Sequence, residues 1–419
     1  MTDHCSAPRR WANARTFVVT ALLVGALATA GLLGGGTAAI ASGDVRGFDG
    51  TTIVTAGMGP AASFTGAEVG TKARYERANK TNEVKGVKFK FVEFADDKFD
   101  PATAISEARR LVTQENVFAI VPLLSTVTPG TYLVQQHVPS FGWGFDPNAY
   151  CSKTPSTALW AFGFTGCTGP VGNKVSDTFT SAYKYASELT GKKHPTAVVV
   201  SNENPAGQGA VDNGAASLKG AGFKIVWAKA NVPEQVSDYA PYIKDWLTAD
   251  DGDQPDFFYA LFSVQSLAVV DALNANGFEG TIETGLYSDL VVKPLEGTLT
   301  GSSYNTAPNK GLTQMQEDVE AVAPGTKVTS LNAAAYFAAD MFIQAVKTAA
   351  KQGKANITPE AVQKAASVQT WEIPGLVGPT IYPASTQVAK KACSTLLKSD
   401  GTTWNIIAPF TCSAKTFRK

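Results

Sequence analysis

"FADDKFDPATAISEARRLVTQENVFAIVP", residues 94–122, contains the end of one strand, a helix and the next strand. The segment before it, "VKFKFVEF" (87–94), reads as a strand. Asp100 then stands in front of Pro101. A carboxylate at that place accepts from free N–H groups of a starting helix, and proline at the first helical position loses no hydrogen bond. The helix runs through "DPATAISEARRLVTQE". It gives way to "VFAIVP" (117–122), whose unbroken apolar character predicts a strand buried on both faces. Burial on both faces requires helices on both sides, so this unit predicts a parallel sheet.

The same alternation extends in both directions. Upstream, "TTIVTAG" (51–57) reads as a strand and Thr65–Asn82 as a helix. Downstream, "TPGTYLVQQH" reads as a helix and "VPSF" as a strand. The pattern then restarts. "HPTAVVVSNEN", "FKIVWAKA", "PDFFYALF" and "GTIETGL" are strands; "GQGAVDNGAASLKGAG", "SDYAPYIKDWLTAD" and "SVQSLAVVDALNANG" (263–277) are the helices between them. After a loop region, "LNAAAYFAADMFIQAVKTAAKQG" (331–353) is one long helix closed by Gly353. Two βαβα runs predict an α/β protein of two doubly wound parallel-sheet lobes.

The 419 residues carry formal charge +0, with 44% apolar residues. That content supports a large core, and the neutral balance argues against nucleic acid, whose binding needs clustered Lys and Arg. The first 41 residues have the layout of a secretory signal. Arg9, Arg10 and Arg15 form a basic region, "TFVVTALLVGALATAGLL" an apolar one, and "AAIA" (38–41) a small-residue cleavage site. Cleavage is expected after Ala41, and an uncleaved membrane anchor is the alternative. No cysteine follows the apolar region for a lipid anchor, so the protein is expected to be exported and not a lipoprotein. Beyond Cys5 the chain has Cys151, Cys167, Cys393 and Cys412. An even count in an oxidising compartment predicts two disulfides. Three pairings are possible. Short separation favours Cys151–Cys167 and Cys393–Cys412, the latter flanking a hairpin with an Asp400-Gly401 turn. A zinc site is disfavoured, because no C-x-x-C occurs and only His4, His137 and His194 are present.

Catalytic signatures are missing. There is no H-E-x-x-H, no G-x-S-x-G and no P-loop. "GMGPAA" (57–62) departs from a dinucleotide fingerprint at Pro60 and Ala62. The acidic run "ADDGDQPD" (249–256) lacks the spacing of a calcium loop and reads as a solvated turn. No catalytic residue, metal or cofactor is therefore expected, and the reading turns to binding.

In an open α/β sheet, ligands bind beyond the carboxyl ends of the strands. Six loops hold that position: "GMGPAASFTG" (57–66), "LLSTVTPG" (123–130), "FGWGFDP" (141–147), "SNENPAGQG" (201–209), "LFSVQS" (261–266) and "TGLYSD" (284–289). At this point the chain resembles the type I periplasmic binding proteins, specifically the leucine/isoleucine/valine-binding-like substrate-binding subunits of ABC transporters. Residues 94–122 are similar to that family's strand, paired Asp, helix and following strand. "GPAASFTGAEVGTKARYERAN" (59–79) and "VVVSNENPAGQGAVDNGAASLKGAG" (198–222) resemble its first helix and its second-lobe entry.

The resemblance implies two lobes joined by a three-segment hinge that close on a small molecule, with permease subunits as partners. It implies a short linker at 42–50, a first lobe of 51–168 with 296–360, and a second of 169–295 with 361–419. The membrane would be met only through the signal sequence or the permease. The resemblance also implies binding residues. Ser125 and Thr126 would clamp a carboxylate, or else cap the helix that follows. Gly142, Trp143, Gly144 and Phe145 stand where the family has a Ser/Ala/Thr-rich turn. Ala206 replaces a Tyr, while Phe262 and Ser263 fall at an aromatic and polar position. Tyr287 occupies the place of an ammonium-binding acid, for which Asp289 is a shifted substitute. A pocket more aromatic and less charged than an amino-acid site points to small apolar or aromatic carboxylates or amides, beside amino-acid-like solutes. A sensing ectodomain of a membrane receptor is the competing expectation; transport is preferred because no second span or signalling domain follows before Lys419.

Overall fold

The computed structural model describes residues 45–127, 129–144, 146–151, 159–167, 174–176, 180–262, 264–382, 392–413 and 416–418. The signal segment at 1–41 lies outside these residues, as do Phe145 and Ser263. The first run of elements is β1 (Thr52–Gly59), α1 (Ala67–Thr81), β2 (Lys88–Asp96), α2 (Pro101–Thr113), β3 (Ala119–Leu123), α3 (Gly130–Gln135), β4 (Ser140–Gly142), α4 (Pro147–Tyr150) and β5 (Ala161–Gly163). The next comprises β6 (Lys174–Ser176), α5 (Thr180–Leu189), β7 (Thr196–Asn202), α6 (Pro205–Gly220), β8 (Lys224–Val232), α7 (Ala240–Leu247), β9 (Phe257–Leu261), α8 (Ser266–Ala275), β10 (Thr281–Thr284) and β11 (Leu299–Ser302). The last comprises α9 (Lys310–Val322), α10 (Ser330–Ala349), α11 (Pro359–Ala366), β12 (Thr370–Ile373), β13 (Val377–Ile381), β14 (Ala392–Ser399), β15 (Trp404–Ser413) and β16 (Thr416–Arg418).

Two main sheets result. One is parallel in the order β2-β1-β3-β4-β5. The other has the order β15-β14-β11-β10-β9-β7-β8 and is parallel from β8 to β11, with β14 and β15 added antiparallel at one edge. Taken from its first strand, the parallel part of the second sheet repeats the order of the first. Both therefore place a crevice at the carboxyl ends of their strands, where the strand order reverses.

The unbroken apolar strands are buried on both faces. In β7, Val198 and Val200 pack with Ile243, Trp246 and Val269 of α7 and α8, while Ala197 and Val199 pack with Tyr183, Val211 and Leu218 of α5 and α6. In β3, Ala119 and Val121 join the α10 side with Phe342, and Ile120 and Leu123 join Ala104 and Leu111 of α2. The period-two alternation of a strand sends neighbours to opposite faces, so only a continuous apolar run satisfies both. Asp100 caps α2 as expected: its carboxylate accepts from the Thr103 amide at 2.6 Å. Asn204 does the same for α6, accepting from the Gly207 amide at 2.6 Å ahead of a Pro205 start.

Sheet membership departs from the boundaries expected from the sequence at two places. Leu299–Ser302 pairs with β10 and β14 in the second sheet, although 296–360 was assigned to the first lobe. Residues of α11, β12 and β13, including Val362, Trp371 and Val377, share the core of the first sheet, although 361–419 was assigned to the second lobe. The loop region before the long helix also contains two elements. β11 is rich in Gly, Ser and Thr and has no apolar run to announce it. α9, "KGLTQMQEDVEAV", buries little more than Met315 and Val319.

The cysteines join locally, Cys151 to Cys167 and Cys393 to Cys412. Cys393 and Cys412 are cross-strand partners of the β14–β15 hairpin.

Glu283 of β10 lies fully buried opposite Tyr259 of β9. Burial pushes its carboxyl well above the ordinary value, and the Tyr183 hydroxyl offsets this only in part. The unfolded chain ionises this carboxyl near pH 4.5, while the folded chain keeps it protonated. Stability is therefore lost as pH rises above that value toward the folded pKa. Glu283→Gln should raise stability, and with it the melting temperature, by an amount that grows between pH 5 and pH 8, on the order of 1–3 kcal/mol of unfolding free energy at the upper end. Thermal melts of both proteins across that range check it; a difference that shrinks with pH would contradict the assignment.

Candidate functional site

A cavity of about 280 Å³ sits where the carboxyl ends of the two sets of strands meet. The first sheet contributes Phe64 after β1, Phe99 after β2, Thr126 after β3, Trp143 after β4 and Phe164 after β5. The second contributes Ser201 and Asn202 at the end of β7, Glu234 after β8, Phe262 after β9, Leu286 after β10 and Ser303 after β11. The start of α6 adds Asn204, Ala206 and Gly207, the start of α10 adds Ser330 and Leu331, and the β14 edge adds Cys393. Each parallel strand thus delivers a residue to one space, as the strand-end rule requires.

Six aromatic side chains, Phe64, Phe99, Trp143, Phe164, Tyr259 and Phe262, stand on the wall among small and polar residues. Trp143 is half-buried and lies 5.6 Å, centroid to centroid, from the fully buried Phe164. The loop carrying Trp143 is held by its own backbone: the Thr165 hydroxyl donates to the Trp143 carbonyl at 2.5 Å. Gly144 has φ +85°, and a Cβ there would meet the Gly166 carbonyl oxygen at 2.1 Å. At Gly142 a Cβ would meet the Leu123 carbonyl oxygen at 1.9 Å. These two glycines let strands and loop pack closely and so set the position of Trp143. Neither lines the cavity.

Of the residues singled out in the sequence, Thr126, Trp143, Ala206 and Phe262 line the cavity together. The Thr126 Oγ1 is buried there and meets no partner among the described residues. Ser125 is turned into its own loop, where its hydroxyl donates to the Val127 carbonyl at 2.7 Å. Tyr287 packs against Tyr304 and Trp404 instead of the cavity, while its neighbour Leu286 lines it. Asp289 is exposed in a 3-10 turn. It does not stand in for an acid on the cavity wall.

The acid on that wall is Glu234, which the sequence reading passed over. One of its oxygens accepts from the Asn204 side-chain amide; the other, Oε2, is buried and accepts nothing among the described residues. Burial, and after it the charge of Asp97, pushes the Glu234 carboxyl up, and the hydrogen bond from Asn204 offsets this only in part. Asp97 follows β2 and is fully buried. Its Oδ1 accepts from the Phe99 amide at 3.0 Å, and its Oδ2 accepts nothing among the described residues. Burial likewise raises Asp97; hydrogen bonds from Ser125 and the Phe99 amide offset this in part, and the charges of Asp96 and Asp100 add to it. The strand-end rule contained the signal for both acids. The loops after β2 and β8 belong to the same set as the six loops chosen, and β8 runs to Val232, which brings Glu234 within two residues of its end.

Among the described residues, no group of three or more His, Cys, Asp and Glu is gathered to hold a metal. Lys, Arg and His do not occur among the described residues that line the cavity.

Two doubly wound sheets that share one cavity at their strand ends define a class of two-part α/β ligand-binding proteins. The periplasmic binding protein profile matches residues 53–402, and the chain belongs to that family. It is a substrate-binding rather than an enzyme family, and its members are exported. No curated relative matches the chain by sequence. Solved structures share the fold at low identity. A possible leucine/isoleucine/valine-binding protein from Rhodopirellula baltica is 12% identical with a TM-score of 0.69, covering 87% of this chain and 98% of that one. A solute-binding protein of an ABC transporter from R. palustris, in complex with 4-hydroxybenzoate, is 18% identical with a TM-score of 0.66, covering 87% and 98%. A fatty acid ABC transporter substrate-binding protein from Thermomonospora curvata is 15% identical with a TM-score of 0.67, covering 88% and 94%. No helix among the described residues is long and apolar enough to cross a membrane.

Proposed function

We propose that the protein is the extracytoplasmic substrate-binding component of an ABC importer, which captures a small organic solute between two lobes and hands it to permease subunits. The observation that carries this reading is the cavity walled by strand ends of both sheets, with aromatic rings on one side and a helix start on the other. A ligand there touches both halves at once, so its binding energy favours the closed arrangement over the open one. The first half is centred on 51–168 and the second on 169–295, with the chain crossing between them after β5, β11 and β13. Thr126, Trp143, Ala206 and Phe262 are the contacts proposed from the sequence, and Glu234 joins them. The segment 1–41 is proposed as a signal peptide cleaved after Ala41, with no lipid anchor.

The test is a thermal-shift screen of residues 42–419 against amino acids, amides, amines and aromatic or aliphatic carboxylates. A ligand that binds only the folded state adds about 2.7 kcal/mol at a hundredfold excess over Kd. One chemical class should therefore raise the melting temperature by a few degrees. If no class does so in folded protein, the solute-capture reading fails.

A further inference from the structure

We propose that Glu234, acted on by the nearby buried Asp97, forms an acidic pole of the cavity that selects a ligand with a positively charged head group on an apolar or aromatic body. This rests on the solute-binding reading above and names the ligand class of that site.

Four observations converge. Glu234 lines the cavity, and its Oε2 is buried without a hydrogen-bond donor among the described residues. The fully buried Asp97 lies behind the lining, with Ser125 and the Phe99 amide as its hydrogen-bond partners, and is near enough to act electrostatically on Glu234. The two acids come from different sheets, at the ends of β2 and β8, so negative charge from both halves bears on the Glu234 end of the cavity. The described cavity lining has no Lys, Arg or His to answer them, and its remaining surface carries Phe64, Trp143, Phe164 and Phe262.

A buried carboxylate oxygen that finds no partner is costly, and a second acid within electrostatic reach makes it more so. A cationic head group removes the penalty: it offsets the local negative charge and supplies an N–H donor to the empty Glu234 oxygen. The aromatic faces nearby attract the same charge and cover an apolar body. A carboxylate ligand would instead place further negative charge beside Glu234, where no cation on the described lining meets it. The pole differs in position from the site near Tyr287 and Asp289 where the sequence suggested an ammonium-binding acid.

Benzamidine, benzamide and benzoate share one ring and a planar head group, and they carry positive, neutral and negative charge. Calorimetric titration of the full exported chain should rank benzamidine at least tenfold tighter than benzamide, with benzoate weakest. In Glu234→Gln, shown folded by circular dichroism and melting temperature, benzamidine affinity should fall at least tenfold while benzamide changes less than about threefold. The charge ranking in the unmodified protein needs no variant and keeps the test open should Glu234→Gln fold poorly. Benzoate binding tighter than benzamidine overturns the proposal, as does a folded Glu234→Gln that keeps benzamidine affinity. Leucine and 4-hydroxybenzoate are run beside them. If either binds while benzamidine does not, the acidic-pole proposal falls and the solute-capture reading stands.

Discussion

Replacing Arg74 by Met should lower stability by about 2–4 kcal/mol, because it strands two half-buried carboxylates. Arg74 of α1 is only 4% exposed. Its two terminal nitrogens donate to the two oxygens of Glu83 at 2.9 and 2.8 Å, and its Nε donates to Asp340 Oδ2 of α10 at 2.6 Å. The second Asp340 oxygen accepts from the Trp371 indole of β12 at 2.8 Å. One guanidinium thus ties α1, α10 and β12 across the core of the first sheet. Arg77 offers little relief: it lies 3.8 Å from both Glu83 and Asp340 and is engaged with Asp318 at 2.9 Å. The expected loss measures orphaned charge rather than the worth of the pair, and this can be separated. The triple change Arg74→Met, Glu83→Leu, Asp340→Leu should recover most of it in urea unfolding. A single variant within 1 kcal/mol of the parent would show that water reaches the site freely. The pH profile gives a second check. Burial raises Glu83, but the hydrogen bond and charge of Arg74 win and hold its carboxyl below the ordinary value of 4.5. That contribution is present above pH 4.5 and lost as pH falls through the folded pKa. Arg74→Met should flatten this part of the acid limb.

The fold was legible where the chain carries apolar runs bounded by caps. β3 and β7 announce themselves because both faces must be apolar, and α2 because Asp100 and Pro101 fix its first turn. The legible signal fails where packing, not composition, makes the element. β11 is held by ladder bonds to β10 and β14, with Gly and Thr instead of a run of large side chains. α9 shows a mostly polar surface around a narrow buried stripe. Pairing and sharing of cores across long sequence distances decide which sheet a terminal segment joins, and nothing in 361–382 alone reveals that Trp371 sits beside Phe337.

The candidate site was legible at the level of loops and less so at the level of atoms. The loops of Thr126, Trp143, Ala206 and Phe262, chosen by the strand-end rule, line one cavity. The rule cannot tell which of two adjacent residues faces that space: Ser125 turns to its own loop beside Thr126, and Tyr287 packs away beside Leu286. It also left the β2 and β8 loops unread, and with them Asp97 and Glu234. Their environment depends on what surrounds them in three dimensions, since an acid is remarkable only once its oxygens are seen buried and unanswered.

Removing the indole at position 143 should weaken ligand binding by roughly 30- to 100-fold. The ring forms part of the cavity wall and is backed by Phe164, which is itself wedged against Phe337 and Trp371. That stack holds Trp143 from behind, so little rotamer freedom is lost when a ligand covers its open face. Covering one aromatic face of this size contributes about 2–3 kcal/mol, and each 1.4 kcal/mol is a factor of ten in Kd. Trp143→Ala is then expected to raise Kd for the tightest compound of the screen, measured by calorimetry. Because the ring also packs against the core of the first sheet, the melting temperature of the unliganded protein should fall as well, and circular dichroism checks that it remains folded. Trp143→Phe should retain most of the affinity, since it keeps a flat apolar face on the same loop. Equal losses in both variants would instead point to a specific indole N–H contact. Unchanged affinity in a folded Trp143→Ala would remove the loop between Gly142 and Gly144 from the site, and with it the reason those glycines hold the chain so tightly there.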